Sequence, residues 1–140
     1  MGGLVVFLHG YTGNRYSWGA VPDKVRASLE SFEVAILEYS AAAFSPSTIQ
    51  TNADRVMTEL LTRYPKCEPI YFVGHSLGGL VARELCRKLL AREVENDTLL
   101  DKIPAVITFG TPLEGPRFRR TMCASRRCRG GRRIRRSNRC

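Results

Sequence analysis

Five consecutive residues, Gly74-His75-Ser76-Leu77-Gly78, restrict what this chain can fold into more than any other part of it. They follow an apolar run, Pro69-Ile70-Tyr71-Phe72-Val73, and lead into a helical pattern that starts near Leu77. An apolar run closed in this way reads as a buried strand that turns sharply into a helix. Such a turn holds Ser76 in a strained conformation and raises its hydroxyl above the end of the strand. Side chains two residues before and after Ser76 would collide with the packed strand and helix, so glycine is needed at both places. A bare G-x-S-x-G is a weak signal, arising by chance on the order of a few per cent per chain; the flanking strand and helix give this one its meaning.

The rest of the chain repeats the alternation of strand and helix. Leu4-Val5-Val6-Phe7-Leu8 is a continuous apolar run ending in His9-Gly10, as expected of a strand buried on both faces. Tyr11-Thr12-Gly13-Asn14-Arg15 is loop chemistry. Pro22 then suits the first turn of a helix, with Val25, Leu29 and Phe32 on one face. Val34-Ala35-Ile36-Leu37 reads as a second short strand, and residues 41–46 as a connection. Ser47 followed by Gln50 fits a capping box. The helix it opens carries an apolar stripe of Ile49, Ala53, Val56, Met57, Leu60, Leu61 and Tyr64, and stops before Pro65. A third strand is expected over 70–73, a third helix from Leu77 to about Glu93, a polar connection over 95–102, and a fourth strand over 105–109. Four buried strands alternating with three helices imply an α/β fold with a parallel sheet and right-handed crossovers. Ligands bind such sheets beyond the carboxyl ends of the strands, where His9-Gly10, Ser76 and Thr111-Pro112 all fall.

Composition divides the chain in two. The net charge is +9, yet residues 117–140 alone carry 11 arginines and no acid, whereas residues 1–116 hold 11 Lys plus Arg against 13 Asp plus Glu. The expected division is a partial α/β domain over 1–116 and an arginine-rich tail over 117–140. The tail has no hydrophobic period and reads as disordered. Three accounts of it stand: a segment contacting nucleic acid or another polyanion, a membrane-surface anchor, or a non-native ending such as translation past a frame change. Its lack of pattern favours the third. Cys123, Cys128 and Cys140 are too few for a zinc site, and an odd total of 5 cysteines does not suggest a disulfide framework. No apolar run approaches the ~20 residues that cross a membrane. The apolar stretch near the start is too short for a signal peptide and has no basic segment before it. A cytoplasmic location is therefore expected.

Chemistry concentrates at Ser76. A serine hydroxyl becomes a nucleophile when a base takes its proton and backbone donors hold the oxyanion that forms. The expected donors are the N–H of Leu77, directly after the serine, and the N–H of Tyr11 in the loop after the first strand. The base is the difficulty. Of the chain's two histidines, His75 sits on the strained turn beside Ser76 with its side chain directed away from the hydroxyl. His9 is expected to brace the oxyanion loop. No histidine follows Ser76, and the last carboxylate is Glu114. Asp97 and Asp101 belong to a solvated connection.

Residues 4–115 resemble the α/β-hydrolase fold in its lipase and serine-esterase branch. The likeness is carried by Val5-Val6-Phe7-Leu8-His9-Gly10, by Trp18, by Tyr71-Phe72-Val73-Gly74-His75-Ser76-Leu77-Gly78-Gly79-Leu80-Val81, and by Ile107-Thr108-Phe109-Gly110-Thr111-Pro112. Within that branch the chain is most similar to serine esterases related to GPI-inositol deacylases and mitochondrial lipid-remodelling proteins. There the fourth strand usually ends in Thr-Pro-His-x-Gly, where this chain has Thr111-Pro112-Leu113-Glu114-Gly115. The resemblance implies that the four strands are the third to sixth of an eight-stranded sheet and that the chain is the truncated central part of a hydrolase. It implies that the third and fifth of those strands are neighbours, which sets the Tyr11 and Leu77 N–H groups on either side of one oxyanion. It further implies a carboxylic ester or lipid acyl group as substrate, Ser76 as the attacking atom's residue, and no metal or organic cofactor. The family orders its triad Ser, Asp or Glu, then His. This chain lacks the last two, so little or no hydrolase activity is expected of it. The alternative is a non-catalytic pseudo-hydrolase that binds its ligand and contacts polyanions through its tail.

Overall fold

The computed structural model describes residues 2–41, 46–91 and 98–114. Strand β1 (Gly3–Leu8) leads through a 3-10 turn (Arg15–Trp18) to α1 (Val21–Ser28), then β2 (Phe32–Leu37), α2 (Ile49–Arg63), β3 (Ile70–His75) and α3 (Leu77–Leu90). A second 3-10 turn (Leu100–Lys102) precedes β4 (Ala105–Phe109). The four strands form one parallel sheet in the order β2-β1-β3-β4. The expected α/β architecture is present, and the strand holding the serine turn lies directly beside the first strand.

Alternation along each strand sends its residues to two unlike faces. One face carries Leu4, Val6, Leu8, Ala35, Leu37, Ile70 and Phe72, and the buried residues of α2 and α3, among them Val56, Leu60, Val81 and Leu85, close over it. The other face buries Val5, Phe7, Val34 and Val73 beneath Trp18, Val25 and Phe32. Helix α1 has 8 residues against 15 in α2 and 14 in α3, so it shields a smaller part of the sheet.

Local sequence rules misplaced two features. Phe32 was expected on the face of α1, but it opens β2, paired with Gly3. The absent side chain of Gly3 lets the Phe32 ring lie over that residue, and the ring packs 5.9 Å from that of Tyr71. Sheet pairing here outweighs a helical spacing that happened to continue. The capping box of α2 also shifts by one residue from Ser47 and Gln50. Thr48 is the N-cap: its Oγ1 accepts the Thr51 N–H at 3.1 Å, and the Thr51 hydroxyl oxygen accepts the Thr48 N–H at 2.8 Å. Two threonine hydroxyls satisfy both orphan donors without the longer glutamine. Strand β3 runs two residues beyond Val73, because Gly74 and His75 pair with Thr108 and Phe109. Helix α3 ends at Leu90; Glu93, Asp97 and the arginine-rich segment 117–140 lie outside the described residues. No helix among the described residues is long and apolar enough to cross a membrane.

Candidate functional site

Ser76 lies between the last residue of β3 and the first of α3, with φ 49° and ψ −114°. A non-glycine residue at positive φ is strained, and such strain persists only where surrounding packing enforces it. The enforcement is visible on both sides. A Cβ on Gly74 would stand 2.5 Å from the Gly79 nitrogen and 2.8 Å from the Gly78 carbonyl carbon. One on Gly78 would run into the backbone carbonyls of Leu8 and His9. The two glycines therefore let β3, α3 and β1 approach closely enough to fold the turn. The backbone of Ser76 is tied down as well: its N–H donates to the Phe109 carbonyl at 2.8 Å, and its carbonyl accepts the Gly79 N–H at 3.2 Å. Its hydroxyl makes no cap bond to α3.

The two expected donors follow neighbouring strand ends. Leu8 and Gly74 are paired residues of β1 and β3, and Tyr11 and Leu77 each stand three residues beyond them. Among the described residues neither the Tyr11 nor the Leu77 N–H has an acceptor. The loop carrying Tyr11 is fixed by its neighbours: the Thr12 N–H donates to the Ala41 carbonyl at 2.7 Å and the Gly13 N–H to the Gly10 carbonyl at 3.0 Å. Thr12 is the other non-glycine residue at positive φ among the described residues, at 56°.

His9 is buried, and its Nδ1 donates to the Gly10 carbonyl at 3.0 Å. The ring stacks on Tyr39 with centroids 4.3 Å apart, and the Tyr39 hydroxyl donates to the His9 carbonyl. Burial pushes the Tyr39 phenol well above its ordinary value. Sequence reasoning did not identify Tyr39; its one cue was an aromatic residue just past the end of the second strand. His75 is exposed, its ring edge-on to Trp18 at 6.4 Å, and Trp18 in turn packs edge-on against Phe7 at 4.9 Å. A Cβ on Gly10 would meet the His75 ring at 2.7 Å, so the turn and the Tyr11 loop interlock through that residue. Among the described residues neither histidine pairs with a carboxylate or bonds the Ser76 hydroxyl. Asp101 stands at the amino end of β4, the edge of the sheet away from Ser76.

Sequence reasoning also missed why a second glycine follows Gly78. A side chain at Gly79 would strike the Thr111 side chain and come within 2.9 Å of the Thr108 methyl group. Thr111 thus lies against the first turn of α3, with its Oγ1 buried and, among the described residues, without a hydrogen-bond partner. No group of three or more His, Cys, Asp or Glu side chains suited to a metal occurs among the described residues.

The family model described as "Putative serine esterase (DUF676)" matches residues 2–126. Solved structures share the fold at low identity. A cutinase-like protein from Cryptococcus sp. superposes with a TM-score of 0.60 at 11% identity, covering 79% of this chain and 54% of its own. An extracellular α/β-hydrolase from a Paenibacillus species gives 0.57 at 18% identity over 76% of this chain and 40% of its own. The mature lipase BlEst2 of Bacillus licheniformis gives 0.55 at 18% identity, covering 79% and 41%. This chain thus spans about half or less of each of these structures. No curated protein matches it.

Proposed function

Because the chain belongs to the serine esterase family whose model spans residues 2–126, we propose that its strand-to-helix turn is the acyl-transfer site of a carboxylic-ester or lipid-acyl hydrolase. The observation that carries this reading is Ser76 at φ 49° on the carboxyl edge of the sheet, beside the unengaged N–H groups of Tyr11 and Leu77. In that reaction the Ser76 Oγ–C bond forms at the acyl carbonyl and the hydroxyl proton passes to a base. The two N–H groups hold the oxyanion while the bond to the alcohol breaks. Water then releases the acid from the acylated serine by the same steps.

The 140-residue chain meets only part of this requirement. His9 is engaged with Gly10 and Tyr39, His75 faces Trp18, and no histidine follows Ser76 in sequence. Among the described residues no base is bonded to the Ser76 hydroxyl, and loss of a triad base lowers turnover by about 10⁴- to 10⁶-fold. The 140-residue chain should accordingly show Ser76-dependent labelling by an activated fluorophosphonate that is slow, and p-nitrophenyl ester turnover near background. Ser76→Ala should abolish the labelling. Rapid Ser76-dependent turnover would overturn the low-activity part of the proposal, and labelling unaffected by Ser76→Ala would overturn the site.

A second reading, a pseudo-hydrolase that binds without turning over, is favoured by the separation of both histidines from the Ser76 hydroxyl. Segment 117–140 then adds polyanion contact. A salt-dependent gel shift with nucleic acid that persists after deletion of 117–140 would remove that part.

A further inference from the structure

Two polar side chains are buried among the described residues, His9 at 1% exposure and Asn52 at 3%. Neither takes part in the acyl-transfer steps, and polar groups in such places are held by hydrogen bonds that have a reason to be there. Both engage the same three residues just past β2, Tyr39-Ser40-Ala41. From α2, the Asn52 Nδ2 donates to the Ser40 carbonyl at 2.9 Å. On the other side, the Tyr39 hydroxyl donates to the His9 carbonyl, and the two rings stack within 11° of parallel. The Ala41 carbonyl accepts the Thr12 N–H at 2.7 Å. The segment thus holds the loop after β1 on both sides of Tyr11.

That hold reaches the Tyr11 N–H through one peptide unit. The Gly10 carbonyl and the Tyr11 N–H share a plane and point opposite ways across a trans bond. The Gly10 carbonyl accepts two hydrogen bonds, from His9 Nδ1 and from the Gly13 N–H, each at 3.0 Å. Fixing the carbonyl in this way aims the N–H in the opposite direction. The His9 ring that supplies one of those bonds lies flat against Tyr39, and its backbone carbonyl is held by the Tyr39 hydroxyl. Beyond Tyr11, the Thr12 hydroxyl donates to the Tyr11 carbonyl at 2.7 Å, which fixes the next peptide as well.

We propose that Tyr39 is a positioning residue for acyl transfer, acting through His9 to aim the Tyr11 N–H, with Asn52 anchoring the segment that carries it. This role rests on the acyl-transfer reading of the turn at Ser76. An oxyanion donor is effective because it is aimed before the charge develops, so nothing need reorganise during the reaction. Tyr39 and Asn52 supply that preparation from outside the loop, and neither touches the substrate.

The test avoids the need for a proton acceptor. Ser76→Cys in the full chain puts a thiol at the turn, nucleophilic as thiolate without a neighbouring base. The thiolate takes the acetyl group of p-nitrophenyl acetate and expels p-nitrophenolate by way of an oxyanion. It also displaces iodide from iodoacetamide, where no oxyanion forms. Peptide mass spectrometry reads both rates at position 76, apart from the other cysteines. The ratio of acetylation to alkylation should exceed that of glutathione, because the N–H groups assist only the first reaction. Adding Tyr39→Phe should lower the ratio by about tenfold with alkylation unchanged, short of the roughly 10²- to 10³-fold cost of losing an oxyanion donor. Asn52→Ala should lower it by about threefold, and the pair by less than the product, since both act through one segment. Leu61→Ala, exposed on α2, should leave it unchanged. Circular dichroism checks folding, and Tyr39→Phe, which keeps the ring, decides alone should Asn52→Ala not fold. A ratio no higher than that of glutathione would overturn the oxyanion site, and the role of Tyr39 with it. A higher ratio that ignores Tyr39→Phe would overturn the role of Tyr39 alone. A merely structural brace predicts that second result, with faster exchange of the Thr12 amide and a lower melting temperature.

Discussion

The face of the sheet beneath α2 and α3 and the face beneath α1 are made from the same strands, yet they carry different burdens. On the first, Leu4, Val6, Leu8, Leu37, Ile70 and Phe72 are essentially inaccessible and join the buried sides of two long helices in one cluster. On the second, four strand residues are buried and Ile107 and Phe109 remain half exposed. Apolar area removed from water is what stabilises a domain of this size. The contrast therefore locates stability on the α2–α3 face.

Substitutions can break that contrast. Phe72→Ala, at the centre of the well-covered face, should cost about 3–5 kcal/mol in chemical denaturation. Ile107→Ala, one strand away on the open face, should cost less than about 1 kcal/mol, since only part of its surface is lost from water. Comparable costs at the two positions would show that the open face is covered in solution. Gly78→Ala tests how tightly α3 is drawn against β1. Its methyl group would occupy the space of the Leu8 and His9 carbonyls, so a loss of about 1–3 kcal/mol is expected. Fluorophosphonate labelling of Ser76 should fall with it, because the turn must open; unchanged stability would mean that the helix yields freely there.

A smaller effect is predicted at high pH. Tyr39 has a raised pKa in the folded chain because burial disfavours the phenolate. Its contribution to stability is complete below the unfolded tyrosine value of about 10 and is lost as pH rises above that value. Cys86, raised for the same reason, adds a decline that starts near the unfolded cysteine value of about 8.5. Tyr39→Phe should keep the stack on His9, lose about 1 kcal/mol at neutral pH with the hydrogen bond, and flatten the alkaline fall in melting temperature. An unchanged alkaline slope in that variant would assign the loss to other groups.

These differences follow what one sequence can and cannot encode. Gly74 and Gly78 could be read in advance because the collision they avoid is local to the strand-to-helix turn. The four apolar runs became four strands for a similar reason: a continuous apolar run is recognisable without its partner. The expected burial holds least for β4, which has no buried residue because α1 covers little of that end of the sheet. Phe32 was misread because helical spacing carries on past Leu29 until pairing with Gly3 intervenes, and that pairing is a long-range event. The Thr48–Thr51 cap was missed because two threonines can do what serine and glutamine were expected to do one residue earlier. Tyr39 and Thr111 were invisible for another reason. Each acts on a residue far away in sequence, His9 and Gly79, and no periodicity announces such contacts. At the site, the order of the strands explains why Tyr11 and Leu77 lie beyond adjacent strand ends. The positions of His9 and His75 depended on what else packed around them.

The sheet order also dictates how the molecule is assembled. β1 precedes the other three strands in sequence and is one of the two central strands of the four, flanked by β2 and β3. Its inner neighbour is supplied only when Ile70 arrives to pair with Leu4. Until then the run from Leu4 to Leu8 has one of its two ladders unfilled, and the nascent chain carries a sticky, half-finished strand. Parallel pairing across such sequence separation closes slowly and rewards the chain late. The chain's exposure to aggregation is therefore greatest during synthesis, before β3 has been made.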